Sequence, residues 1–359
     1  MKIGIVTITN NGYNYGNQLQ NYAVKRIYEE LGCTVKTLYN IDGSEYQVSL
    51  LHRLKNYFFI ITKHPSWPER LREEKFRKFG KKYLSYTSPF TFDTVNLILK
   101  EKFDYISVGS DQVWNPYFEC NNIHLNYLLL SFVEPSKRIA FSASMGITSF
   151  PKTMEENFQS ELSLFKAISV REFSAQQYLD KILNKKVCLL IDPTLMLNRK
   201  EWMKLSSKPS NFNDRENYIL TYFLGEKPKL LKYDLECLKE NNLKVYHFFD
   251  KNMPEMITYD PCEFIYMISH AKCILTDSFH ASVFSFIFGI SFYVYERIDN
   301  EKNMLSRFDT FLKKFNLQNH YRLNNKKINI EPCDFTEGYE LLKLEKEKVK
   351  NFLKKALDE

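Results

Sequence analysis

The chain is predicted to be an α/β protein built from two Rossmann-like, doubly wound domains facing a cleft. Three observations carry this. Strand-like runs alternate with helical patterns along nearly the whole length, and several of those runs are short and continuously apolar, as strands covered on both faces require. At 359 residues, with 44% apolar and 26% charged content, the chain also exceeds a single core of ordinary size.

The strands expected in order are Ile3–Ile8, Val35–Tyr39, Tyr105–Gly109, Arg138–Ser142, Ile168–Arg171, Val187–Ile191, Tyr218–Phe223, Val245–Phe249, Cys273–Thr276 and Phe292–Tyr295. Between them, Gln18–Leu31, Ser174–Leu183, Lys229–Asn241, Cys262–Ala271 and Met304–Phe315 carry helical periodicity. A polar helix ending near Lys166 suggests a first domain over 1–167 and a second over 168–330. The segment 331–359 is amphipathic, with Tyr339, Leu342, Val349, Phe352, Leu353 and Ala356 on one side, and is expected to pack back across both.

One stretch breaks this rhythm. Leu51–Lys82, within an insertion at about 50–85, holds ten Lys/Arg against three Glu, interleaved with Leu54, Tyr57, Phe58, Ile60, Ile61, Phe76 and Phe79. It reads as basic amphipathic helices joined at His64–Pro68. A solvated helical insertion on the acceptor side of the first domain is one reading. A surface that approaches anionic lipid or glycan is the other.

Composition excludes several classes. The opening Met1–Thr7 reads as a strand rather than a signal peptide, and no apolar run reaches the ~20 residues of a membrane span. Seven scattered cysteines without CxxC spacing encode neither a disulfide framework nor a zinc site, so a cytoplasmic setting, with peripheral contact at the inner membrane face, and metal-independent chemistry without a cofactor are expected. A net charge of +7 is too mild and too localised to argue for nucleic acid.

Candidate chemistry gathers where strands end. After the first strand, Asn10–Gln20 combines glycines with Asn14, Asn17 and Gln18, whose amides suit sugar hydroxyls or a phosphate; a plain Asn/Gly turn with Asn17 as cap explains the same residues. The spacing matches neither GxGxxG nor a P-loop. Ser110, Asp111, Gln112 and Asn115 beside Trp114 form a set able to stack and orient a sugar, with Asp111 able to accept a proton. Ser142–Gly146 ends the next strand in small residues. Arg171 closes another strand, and its planar fork matches carboxylate or phosphate. Asp192–Thr194 reads as a rigid turn. In Thr276–Ser282 a single histidine, His280, stands at the end of a buried strand and on the first turn of a helix, where anions are held. Arg307 can add a second positive charge.

Taken together and in this order, Asn14–Gln20, Gly109–Asn115, Ser142–Gly146, Ser169–Glu172, Asp192–Thr194 and Thr276–Ser282, extending to Arg307, resemble the polysaccharide pyruvyl transferase family. The resemblance implies a fold like that of GT-B glycosyltransferases and transfer of a pyruvyl group from phosphoenolpyruvate to a sugar as a ketal. It implies Arg171 and His280 as donor residues, with Ser278 and Arg307 beside them. Asn14, Asn17, Gln18, Ser110, Gln112, Trp114 and Asn115 then fall to the acceptor, which is a sugar and in one reading a lipid-linked oligosaccharide. Catalysis falls to His280 and Asp111. Ser278 and Phe279 depart from the family pattern, where an arginine and a leucine are common, and this leaves one expected positive charge to be supplied from elsewhere. Two other readings stay open: a sugar-nucleotide glycosyltransferase on the same scaffold, and a non-catalytic glycan- or anion-binding protein.

Overall fold

A computed structural model of the chain describes residues 1–8, 13–41, 50–118, 125–213, 216–238, 243–298, 305–322 and 328–358. It divides into two compact units, one of Met1–Ser49, Phe79–Met196 and Lys343–Glu359, the other of Leu50–Lys78 and Leu197–Leu342.

The first unit holds a six-stranded parallel sheet of β1 (Lys2–Val6), β2 (Thr34–Thr37), β3 (Tyr105–Val108), β4 (Arg138–Ala143), β5 (Ala167–Val170) and β6 (Cys188–Leu189), in the order β2-β1-β3-β4-β5-β6. Every residue of β4 is buried, as are the last four of β1. Such strands have no solvent face, which is why they read as mostly apolar runs rather than alternating ones. Trp114, Phe158, Phe165, Ile168, Val170, Leu179 and Val187 share one core with them.

The second unit holds β7 (Tyr218–Tyr222), β8 (Lys244–His247), β9 (Cys273–Thr276) and β10 (Ser291–Val294), all parallel, in the order β10-β9-β7-β8. Its helix Phe279–Phe288 is buried at every position, which explains its lack of a polar stripe. Gly289 ends it in the left-handed region with φ 70°, and its N–H closes the last turn.

The ten expected strands are all present, but the boundary between domains moves. It falls after Met196 rather than at 167/168. The reason lies in hydrogen bonding: β5 pairs with β4 through Ile139↔Ala167 and Ala140↔Ile168, and β6 pairs with β5 through Ser169↔Cys188. The polar helix Lys152–Ser163 that suggested a boundary is an ordinary crossover between two strands of one sheet.

The insertion is corrected as well. Leu50–Lys78 belongs with the second unit, tied there by Lys75 Nζ to Glu263 Oε2 at 2.8 Å and by Arg72, which donates to the Ile257 carbonyl at 3.2 Å. The last helix, Thr336–Asp358, is divided. Its start holds to the second unit, where the Tyr339 hydroxyl donates to the Phe286 carbonyl, and its end to the first, where the Tyr105 hydroxyl donates to the Leu357 carbonyl. No described helix is long and apolar enough to cross a membrane.

Candidate functional sites at the two switch points

In an open parallel sheet, a crevice forms outside the carboxyl ends of the strands where the strand order reverses. The first sheet reverses between β1 and β3, and the second between β7 and β9. The loops leaving those four strand ends carry most of the residues singled out from the sequence.

In the first unit, residues 9–12 of the Asn/Gly motif lie outside the described residues. Asn14 caps the helix Tyr15–Glu30, its side chain accepting the Asn17 N–H at 3.2 Å. Asn17 is therefore not the cap. Its buried amide donates to the Ile8 carbonyl at 2.7 Å and to Asp111 Oδ2 at 3.0 Å, joining the loop after β1 to the loop after β3. Gln20, which sequence reasoning passed over, makes a second such link by accepting the Ser110 N–H at 2.9 Å and donating to Thr7 Oγ1 at 2.9 Å. Gln18 is buried, and its Oε1 has no hydrogen-bond partner among the described residues.

Asp111 sits in the left-handed region at φ 46°, a conformation that aspartate tolerates better than most residues. Its Oδ1 accepts the Gln112 N–H at 2.8 Å. Gln112 and Asn115 bond to each other, the Asn115 amide donating to Gln112 Oε1 at 3.0 Å. They close against Gly146, which has φ 64° and where a Cβ would stand 1.9 Å from Gln112 Oε1. Only glycine fits there.

Arg171 lies in this same unit, not in the second as the expected boundary placed it. Its side chain is 1% exposed and ringed by carboxylates: an ion pair with Asp192, Asp111 Oδ1 at 3.7 Å from Nη2, and Glu172 Oε1 at 3.7 Å from Nε. Nη1 also donates to Ser110 Oγ at 3.3 Å. Burial opposes the charge of this guanidinium, but Asp192, Glu172 and Asp111 more than offset it and the pKa is raised, so Arg171 remains a cation. The carboxylates are themselves pinned. Glu172 accepts from the Ser144 hydroxyl, and Asp192 accepts the Thr194 hydroxyl at 2.6 Å and the Thr194 N–H at 3.0 Å. The Asp192–Thr194 turn, read from sequence as rigid, supplies one wall of the ion cluster.

Trp114 is corrected. It is fully buried, its ring edge-on to Phe165 at 6.1 Å and its indole N–H donating to the Leu128 carbonyl at 3.3 Å. It presents no face on which a sugar could stack. Trp114→Ala is expected to cost about 3–5 kcal/mol of stability by leaving a cavity, measured by urea unfolding; a shift below about 0.5 kcal/mol would mark the ring as a surface group instead.

In the second unit, Asp277 follows β9 and ties it to the loop after β7, accepting the Leu224 N–H at 2.7 Å and the Gly225 N–H at 2.8 Å. Its pKa is raised: burial dominates, and the two N–H groups and Arg297 offset it only in part. Ser278 caps the helix Phe279–Phe288, its Oγ accepting the Ala281 N–H at 3.4 Å. His280 follows on the first turn, 7% exposed. Phe279 links it to the next helix, Leu305–Lys314, with its ring centroid 5.4 Å from that of His280 and 5.6 Å from the guanidinium carbon of Arg307. His280 and Arg307, 27 positions apart in the chain, thus flank a single ring.

Arg297 was not singled out from the sequence. Its side chain lies against Gly225, where a Cβ would meet it at 2.9 Å, and its charge favours the ionised form of Asp277. The signal was available, since Arg297 follows a strand closely, as Arg171 does. The two switch points differ in charge. Arg171 with Asp111, Glu172 and Asp192 sums to a net negative cluster, whereas the second switch point pairs Asp277 with Arg297 and places His280 and Arg307 against the Phe279 ring.

Comparison with solved structures finds the same architecture. A Listeria monocytogenes structure provisionally assigned as a UDP-N-acetylglucosamine 2-epimerase aligns over 98% of this chain and 91% of its own, at 10% identity and a TM-score of 0.53. The UDP-N-acetylglucosamine 2-epimerase from Rickettsia bellii aligns over 100% and 97%, at 12% identity and a TM-score of 0.51. At such identity the likeness concerns the fold, which is GT-B-like: two α/β units, each on a parallel sheet. A comparison with curated protein sequences gives no match. The profile of the family described as polysaccharide pyruvyl transferase matches residues 14–300, a span that contains Asn14, Asp111, Arg171 and His280, and the chain belongs to that family.

Proposed function

We propose that the protein transfers a pyruvyl group from phosphoenolpyruvate to a sugar of a cell-surface polysaccharide, or of its lipid-linked precursor, on the cytoplasmic side of the membrane. Family membership supports the reaction class. The observation that supports the assignment of the donor is the placing of His280 at the β7/β9 switch point, on the first turn of a buried helix and against the same Phe279 ring that Arg307 contacts. That arrangement combines a proton donor, fixed cations and helix N–H groups, which is what an enol phosphate needs.

The reaction follows from the donor's electron demand. A proton is added to C3 of the enol, C2 becomes an oxocarbenium centre, and a sugar hydroxyl attacks it while losing its own proton. Phosphate then leaves with the C2–O bonding pair, and a neighbouring hydroxyl closes the ketal, releasing a second proton. His280 is assigned as the acid toward C3, and Ser278, Arg307 and Arg171 are assigned to the carboxylate and phosphate of the donor. Arg171 brings a rigid fork more than a net field, because three carboxylates already neutralise it. The field that attracts a dianion falls to the second unit. Asp111, oriented by Asn17 and Arg171, is assigned as base or orienter for the acceptor hydroxyl, with Asn14, Gln18, Ser110, Gln112 and Asn115 around it.

Incubation with phosphoenolpyruvate and a pooled glycan acceptor fraction tests the reading. Phosphate release together with a pyruvyl mass gain on the glycan is the expected result. Release of a nucleoside diphosphate from sugar nucleotides, or binding of phosphoenolpyruvate without turnover on any acceptor, would overturn it.

A further inference from the structure

The insertion in the second unit carries a helix turned inside out. In Leu50–Ile61 the polar Asn56 is buried, donating to Glu73 Oε2 at 3.1 Å on the neighbouring helix Trp67–Tyr83, while His52 Nε2 lies 3.6 Å from Glu73 Oε1. Leu51, Leu54, Tyr57, Phe58 and Ile61 instead face solvent, at 78, 57, 65, 62 and 61% exposure. At about 100° per residue these five fall within an arc of about 120°, opposite Asn56. A helix in a soluble protein ordinarily does the reverse, and a contiguous apolar patch of this kind marks an interaction surface.

The charges around the stripe say what covers it. On the helical wheel Arg53 borders one side of the arc and Lys55 the other, both exposed, and the exposed Lys63 stands just past the helix end. Positions 50–68 contain no aspartate or glutamate. A second copy of the chain docking through the same face would set like charges against like, with no acid in the segment to answer them. An anionic bilayer surface meets both demands at once, since the side chains of the stripe enter the acyl boundary while the flanking cations lie at headgroup level.

We propose that this helix is a membrane-docking face, laying the second unit against a bilayer rich in anionic lipid. The proposal does not depend on the reaction the enzyme performs, because vesicle binding is read without turnover. The full-length protein is sedimented with phosphatidylcholine vesicles containing, or lacking, about a third phosphatidylglycerol. Expected are co-sedimentation with the anionic vesicles alone, release on raising salt to about 0.5 M, and at least a tenfold weaker association for Leu54→Ser/Phe58→Ser. Both substituted residues are exposed, so the variant should unfold at the wild-type temperature and keep its solution mass. Absence of wild-type binding at low salt, or undiminished binding by the double variant, would overturn the proposal. A wild-type dimer in solution that the variant dissolves would assign the stripe to a second copy instead.

Discussion

His280→Ala is expected to lower turnover of phosphoenolpyruvate at least ~100-fold while the protein remains folded, because a positioned general acid contributes typically 10²–10⁴. The expectation rests on position. His280 stands on the first turn of Phe279–Phe288, after a strand end that Asp277 fastens to the loop beyond β7. Histidine-to-alanine opens a small void beside Phe279, so the thermal unfolding of the variant must be measured with its rate. His280→Gln keeps the bulk and a polar tip without an acid that can supply a proton, and should be equally slow. The two variants together separate chemistry from packing. Near wild-type turnover in His280→Gln would move the proton donor elsewhere.

Arg171→Met is expected to destabilise the first unit by about 3–5 kcal/mol, the usual result of removing one partner from a buried ion cluster. Glu172 and Asp192 are 0% exposed at their side chains, and Asp111 only 10%, so the variant leaves three carboxylates in a poorly hydrated place without their counter-ion. Arg171→Lys should fall between, since it restores a charge but not the fork that reaches Asp192 and Ser110 together. Urea unfolding of both variants at pH 7 measures this order. A loss below about 1 kcal/mol at pH 7 would show that the cluster is hydrated or rearranges freely.

The fold was largely legible because doubly buried strands leave mostly apolar runs without alternation, as in β4 and β9, which are buried at every position. What the sequence concealed is which strands share a sheet. The sequence assigns β5 to the second domain because a polar helix ends just before it and a new strand opens there, and pairing between β4 and β5 depends on long-range hydrogen bonds that leave no local mark. The same limit hid the surroundings of Arg171. Its position at a strand end was readable, but its carboxylate partners come from β3, β6 and its own neighbour Glu172 and meet only in the folded sheet. Trp114 shows the converse. Its polar neighbours suggested a sugar platform, yet a tryptophan beside Ser, Asp and Asn is equally what the end of a buried strand requires when the ring joins the core and the buried amides bond to each other. Arg307 was placed near His280 from charge demand alone, and the reason the two share a ring, the packing of Phe279 between helices, was not visible in the spacing.

The central claim is that the second unit's switch point receives the donor dianion, and a crystal structure of the protein with phosphoenolpyruvate tests it most directly. The account predicts phosphoryl or carboxylate oxygens within hydrogen-bond distance of the His280 ring, with Arg307 on the same ligand. Density for the donor at any other place in either unit, with the loops after β7 and β9 untouched, would contradict it.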